Sequence, residues 1–248
     1  MYKIEKITKI KKKGMYKINI DNHEAIQVHE DVLLSNELLI KKNLTNDDLL
    51  ILENSSNYSR CYHEAIKFIS RKLRSSYELK KHLIKKDFEV STADEIIKKL
   101  ISQKYIDDLN YAKSYANTIL RTTNKGKDYI RKNLKEHKIS EIYIDEAIMM
   151  LDDKEEYDKL YKLITKKISL NNKYSARVLR EKLFYDLKTK GYTTQMINQI
   201  FGEVEFTCDI EHLKVLAEKF MRKHNDKSKV KKTLLSKGFE RDEIDKVL

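Results

Sequence analysis

The chain has 248 residues, 40% hydrophobic and 36% charged, with a formal net charge of +12, five glycines and no proline. That length supports a sizeable core or several small ones in a row, and no apolar run approaches the roughly 20 residues that a membrane helix needs. The missing proline and scarce glycine argue against a loop-rich enzyme and for long helices joined by short turns, while the charge predicts attraction to polyanions or acidic protein surfaces.

The N-terminal MYKIEKITKIKKKG is basic with no apolar segment behind it, so it reads as neither a secretory signal nor a transit peptide. KIEKITKI and MYKINI alternate apolar and polar residues, as half-buried strands do, and Gly14 after a lysine run marks a turn between them. EAIQV is a third short strand candidate. DVLLSNELLI and NDDLLILENSS read as helical, with Asp31 and Asn46 as N-caps. Residues 1–57 are therefore expected to form a small β-rich domain, with Glu53 to Arg60 as its linker. Cys61 and Cys208 form no CxxC and no metal spacing, so a reduced, cytoplasmic setting is expected.

From there on, one pattern recurs. An apolar residue is followed four later by Leu, and five after that by an aromatic or Ile. The copies are Leu79-Leu83-Phe88, Ile130-Leu134-Ile139, Leu183-Leu187-Tyr192 and Val230-Leu234-Phe239. Ala93, Ile144, Ile197 and Ile244 follow in register, then Ile96, Ala147, Ile200 and Val247. These steps suit helical faces. Gly191 and Gly238 precede the aromatic in the last two copies, where glycine ends a helix; Asp87 and Lys138 stand there in the first two and predict weaker caps. Each copy has an apolar helix upstream, such as Ala65-Phe68-Ile69-Leu73 and Leu213-Leu216-Ala217-Phe220. The expected fold is mainly α: tandem three-helix repeats over 58–105, 106–156, 157–205 and 206–248, stacked into an elongated curved array behind the β-containing N-terminal domain.

Ser75 and Glu78 fit a capping box, with Ser91 and Asp94 repeating it for the next helix. Asp107 is placed to cap the helix carrying Ala112, and Asp108 to sit in its first turn, where the helix dipole favours negative charge. Adjacent carboxylates there diverge, so they make a poor catalytic or metal pair. Between the apolar anchors of the middle helix lie Lys80-Lys81, Arg131-Lys132 and Lys231-Lys232, with Phe184-Tyr185 in the third copy. Such pairs suit phosphate, acidic protein or plain solvent, and all three readings stay open. No phosphate loop, HExxH, GxSxG or Cys–His spacing is present, and the seven histidines are scattered. No catalytic residue, cofactor or metal is expected.

RSSYELKKHL followed by IIKKLISQKYIDDLNYAKSYA resembles the RecX family, regulatory proteins of the RecA recombinase. Arg74, Ser75, Glu78, Leu79 and Leu83 carry the first part of the resemblance; Leu100, Tyr105, Ile106, Asp107, Asp108 and Ala112 carry the second. It covers roughly residues 60 to 248, and a β-containing extension is similar to that of longer Gram-positive members. Asp87 and Lys138 depart from the family's usual glycine. The resemblance implies a binding protein, not an enzyme. It implies a cytoplasmic regulator that lies along the groove of the RecA filament on single-stranded DNA, inhibiting ATP hydrolysis and strand exchange in recombination and the SOS response. No membrane partner is expected, and a monomer is. The basic pairs are the candidate contact residues; Arg74, Ser75, Glu78, Asp107 and Asp108 are expected to be structural. A protein that binds DNA directly, with RecA contact secondary, is the alternative.

Overall fold

The structure, a computed structural model, describes residues 1–11, 14–206 and 210–248; Lys12 and Lys13 of the lysine run and Cys208 lie outside them. Strands β1 (Tyr2–Lys9), β2 (Met15–Ile20) and β3 (His23–His29) form a meander, and β4 (Asn43–Leu44), which no alternation announced, pairs with β1. The order is β3-β2-β1-β4, antiparallel throughout, with Ile18 opposite Ile7 and Ile26. Gly14 turns the chain at φ 69°. The buried residues Ile18, Ile20 and Val28 pack with Leu44 and with two helices, α1 (Glu30–Ser35) and α2 (Asn46–Ile69).

Both expected caps shift outwards. His29, not Asp31, caps α1, its Nδ1 accepting from Asp31 N at 3.4 Å. Thr45, not Asn46, caps α2 in a reciprocal box with Asp48. Hydrogen bonds from Lys41 and from Thr45 lower the Asp48 carboxyl to about 2. There is no linker at 53–60: α2 runs straight through it. Its Asn/Ser-rich run is held by burial, because Leu52, Ser56 and Cys61 face inward and Ser56 Oγ donates to Gln27 O of β3 at 2.5 Å. Burial pushes the Cys61 thiol up to about 11, which marks it as an inert core residue.

The repeat pattern reappears as helices: α3 (Ser76–Lys85) and α4 (Val90–Ser102); α5 (Asp108–Thr122), α6 (Lys127–Glu136) and α7 (Glu141–Met149); α8 (Asp153–Ser169), α9 (Ala176–Thr189) and α10 (Thr194–Glu203); α11 (Ile210–His224), α12 (Lys227–Ser236) and α13 (Arg241–Asp245). The C-terminal half of α2 serves as the first helix of the first repeat. Leu79, Leu83, Ile130, Leu134, Val230 and Leu234 are all fully buried, and so are Ile96, Ile144, Ile197 and Ile244. Leu73 departs from the pattern: it lies beyond the end of α2 and is 42% exposed. Helix α9 is 14 residues long against 10 for α3, α6 and α12.

The chain divides into two compact units, residues 1–111 with 137–139, and residues 112–136 with 140–248. In the second unit the left-handed turns of one repeat receive the middle helix of the repeat before. Gly126 N donates to Lys190 O at 2.9 Å and Asp128 N to Gly191 O at 3.1 Å; Ser175 N donates to Lys237 O at 3.1 Å. Gly191 (φ 84°) and Gly238 (φ 91°) have no room for a side chain, since a Cβ would collide with Tyr129 backbone at the first and with Val178 and Ser175 at the second. Asp87 (φ 63°) and Lys138 (φ 57°) adopt the same left-handed turn without glycine.

Candidate partner-binding surface

The first-repeat motif turns out to be a fastening. Ser75 Oγ accepts from Glu78 N at 3.1 Å, and Glu78 accepts in return from Ser75 N at 3.3 Å. Arg74 bonds Glu78 at 3.2 Å and sets its guanidinium 4.2 Å from the centre of the Phe68 ring. Phe68 in turn stacks on His82 at 3.9 Å, and His82 bonds Glu64 at 2.9 Å. Desolvation opposes the charge on Glu64, but the bond to His82 and nearby lysines outweigh it and lower its pKa. These interactions engage the Ser75 hydroxyl, the Glu78 carboxylate and one guanidinium nitrogen of Arg74, whose buried Nε has no hydrogen-bond partner.

The paired aspartates do diverge. Asp107 accepts from Asn110 N at 2.9 Å and caps α5. Asp108 turns outward and accepts from both Ser76 N (2.8 Å) and Ser76 Oγ, so it caps α3 of the preceding repeat. Glu156 of α8 does the same in the second unit, accepting from Lys127 N at the start of α6 at 2.9 Å. Ser76 and Lys127 are equivalent positions, each three residues before the first apolar anchor. A carboxylate at an exposed helix N-terminus binds orphan N–H groups and meets the positive end of the dipole. Ser91 does not repeat the capping box. It lies inside α4, whose N-cap Glu89 makes no side-chain cap bond, and Asp94 is engaged elsewhere.

Asp94 pairs with Lys80 at 2.6 Å. Arg131 pairs with Asp145 at 2.6 Å, and Lys231 with Asp245. In these three repeats the carboxylate stands 14 residues after the cation, on the last helix. The third repeat replaces cation and acid together, with Phe184 packed on its core cluster and Asn198 fourteen residues on. The basic pairs therefore split. Lys80, Arg131 and Lys231 are half-buried and join two helices of their own repeat. Lys81, Lys132 and Lys232 are exposed, as is Tyr185 at the equivalent place in the third repeat, 71% accessible. Lys81 lines a hollow of about 330 Å³ with Lys85, His82, His137, Phe68 and Tyr77, where cation and aromatic faces lie together.

A second basic surface escaped the sequence reading. Lys159, Lys162, Lys166, Lys167 and Lys173 line a cleft of about 700 Å³ along α8 and the loop to α9, with Asn124, Asn171 and Tyr174. No carboxylate is among its described lining residues. Lys159 is tied to Leu120 O, and Tyr174 is approached by Lys182 at 4.9 Å and Lys237 at 5.0 Å. The signal was present as KLYKLITKK, where Lys159, Lys162 and Lys166, three and four residues apart, share one helix face. No helix among the described residues is long and apolar enough to cross a membrane.

Two family models match: RecX, first three-helix domain, over residues 61–100, and RecX, second three-helix domain, over residues 107–148. Regulatory protein RecX of Listeria monocytogenes serotype 4a (strain HCC23) is 31% identical, over 98% of this chain and 96% of that protein. Regulatory protein RecX of Bacillus velezensis (strain DSM 23117 / BGSC 10A6 / LMG 26770 / FZB42) is 32% identical, over 98% and 97%. A crystal structure of regulatory protein RecX superposes with a TM-score of 0.68 at 28% identity, covering 82% of this chain and all of that one. The structure of RecX from Lactobacillus salivarius gives 0.55 at 31% identity, covering 59% and 96%. With near-complete coverage of both partners, the chain belongs to the RecX family of regulatory proteins.

Proposed function

We propose that this protein regulates a RecA-type recombinase by binding its filament on single-stranded DNA, along the groove, and by suppressing ATP hydrolysis and strand exchange. Full-length similarity to regulatory RecX proteins is the observation that carries this reading. The mode is binding rather than chemistry: the motif carboxylates and hydroxyls are consumed as caps, which leaves exposed cations as the means of contact. Lys81, Lys132 and Lys232 are the contact residues in this reading, and Lys80, Arg131 and Lys231 hold helices in place. RecA-dependent ATP hydrolysis on single-stranded DNA, titrated with the protein, tests it. Inhibition below one regulator per RecA is expected. The Lys81, Lys132, Lys232 to Ala variant should need several-fold more protein at unchanged stability. Unchanged potency would remove these lysines from the interface, and no inhibition at excess protein would remove the filament.

Direct DNA binding is a second reading, favoured by the acid-free lysine cleft on α8. Single-stranded DNA held there releases about 0.7 counterions per neutralised phosphate. Replacing Lys162, Lys166 and Lys167 by Ala should flatten the salt dependence of binding by about two log-slope units. If binding to bare DNA is weak and salt-insensitive in the intact protein, this reading fails.

A further inference from the structure

His29, Asp31 and His63 are distant in the chain, yet their ligand atoms all lie within 4.8 Å of one another. His29 ends β3, Asp31 stands in the first turn of α1, and His63 projects from α2. His29 Nδ1 is 3.0 Å from Asp31 Oδ2, and the two imidazoles stack at 3.7 Å with a 34° tilt. The other nitrogen of His29 is turned towards Gly14, where a Cβ would come within 2.8 Å of Nε2. The ring is thus seated against the β1–β2 turn with Nδ1 directed at Asp31.

The surroundings favour a cation independently. Asp31 and His63 line a cleft of about 700 Å³ that also holds Glu89 and Glu95, with Lys99 the one basic side chain of Lys or Arg type among its described lining residues. In a chain of net charge +12 this is a local inversion of sign. Two imidazole nitrogens and one carboxylate oxygen form a donor set of the zinc class, whereas calcium and magnesium take oxygen alone.

We propose that His29, Asp31 and His63 bind a divalent transition-metal ion of the zinc class, with the fourth coordination position open to the cleft. Tetrahedral bonds of about 2.0–2.1 Å place ligand atoms about 3.3 Å apart; from separations of up to 4.8 Å, binding draws the ligand atoms together and turns the stacked rings until their nitrogens converge on the ion. The bound ion joins the start of α1 to α2 and so ties the edge strand β3 to the long helix. No part of this depends on RecA or DNA.

The test uses the untagged full chain, stripped with chelator and titrated with Co2+. One equivalent is expected to give the visible absorption of four-coordinate cobalt, displaced by Zn2+, with Zn2+ also raising the Tm. His63→Ala and Asp31→Asn should each weaken binding at least tenfold, while His224→Ala, at the exposed end of α11, binds as the natural chain does. If His63→Ala fails to fold, Asp31→Asn decides, since that side chain is exposed and the change keeps its shape. No cobalt spectrum at about 100 μM, or one unchanged in Asp31→Asn, would overturn the site.

Discussion

The first and third repeats solve the same three problems differently. Both leave their middle helix through a left-handed turn, at Asp87 (φ 63°) in one and Gly191 (φ 84°) in the other. Asp87 is exposed, whereas the backbone of Tyr129 lies directly over Gly191. The first joins its middle and last helices by Lys80–Asp94; the third uses the apolar Phe184. The first presents Lys81 on its middle helix, and the third gathers its lysines on the helix before, around a cleft. The lesson concerns which constraint is strict. A left-handed φ alone tolerates Asp, while a left-handed φ beneath a neighbouring backbone demands glycine.

Gly191→Ala should therefore have the largest effect. It combines a left-handed cost of about 1–2 kcal/mol with a collision against the Tyr129 backbone. A loss of about 3 kcal/mol or more is expected from this overpacking, read as a fall in urea midpoint. Asp87→Gly, the matching change in the first repeat, should change stability by less than about 1 kcal/mol, because only the φ preference and chain entropy differ. Equal losses at the two sites would break the comparison.

The next effect concerns the carboxylates that cap the preceding repeat. Glu156 is 3% exposed and Asp108 half-buried. Glu156→Ala leaves Lys127 N without its acceptor and opens a buried space, so it should cost about 1–3 kcal/mol; Asp108→Ala should cost less because water replaces the carboxylate. Burial raises the Glu156 pKa, against the hydrogen bond from Lys127 N and the charge of Lys127. The folded state thus holds this proton more tightly than the unfolded chain. Its contribution is fully present below the unfolded pKa and declines as pH rises through the raised folded value. Asp48 acts oppositely: its contribution is present above the unfolded value and is lost as pH falls towards about 2. Glu156→Gln keeps the acceptor and removes the titration, so the stability profile just above the ordinary carboxylate range should flatten.

The repeats were legible because they are local. Apolar spacing along a helix reports its buried face, and every anchor pair of the middle helices is buried as its spacing required. Long-range uses of a polar residue left no local mark. Asp108 looks like any first-turn acid, yet its partner Ser76 lies in another repeat. The run NSSNYSR reads as a linker by composition, but Ser56 reaches a strand carbonyl and the helix persists. His29 and His63 come together only once β3 and α2 pack. One signal was local in form and still went unread: Asp94, Asp145 and Asp245 recur fourteen residues after the cations, as regularly as the cations themselves.

That regularity gives the smallest and most discriminating prediction. The cation–Asp pairs are partly solvated, with side chains from 35% to 56% exposed at Arg131–Asp145 and Lys231–Asp245. Such pairs contribute about 0.2–1 kcal/mol. Lys80→Met should therefore cost no more than that, and the loss should shrink in high salt. The third repeat permits the reverse experiment. Asn198→Asp alone should be near neutral, and Phe184→Lys alone should cost about 1–2 kcal/mol for the apolar surface returned to water. Together they should recover up to about 0.5 kcal/mol relative to the sum, as a double-mutant cycle measures. A coupling of zero would mean that the helices of the third repeat sit too far apart for the bridge, and that its longer α9 has reset their spacing. A positive coupling would mean that all four repeats keep one frame, and that Phe184 is a substitution of chemistry within it.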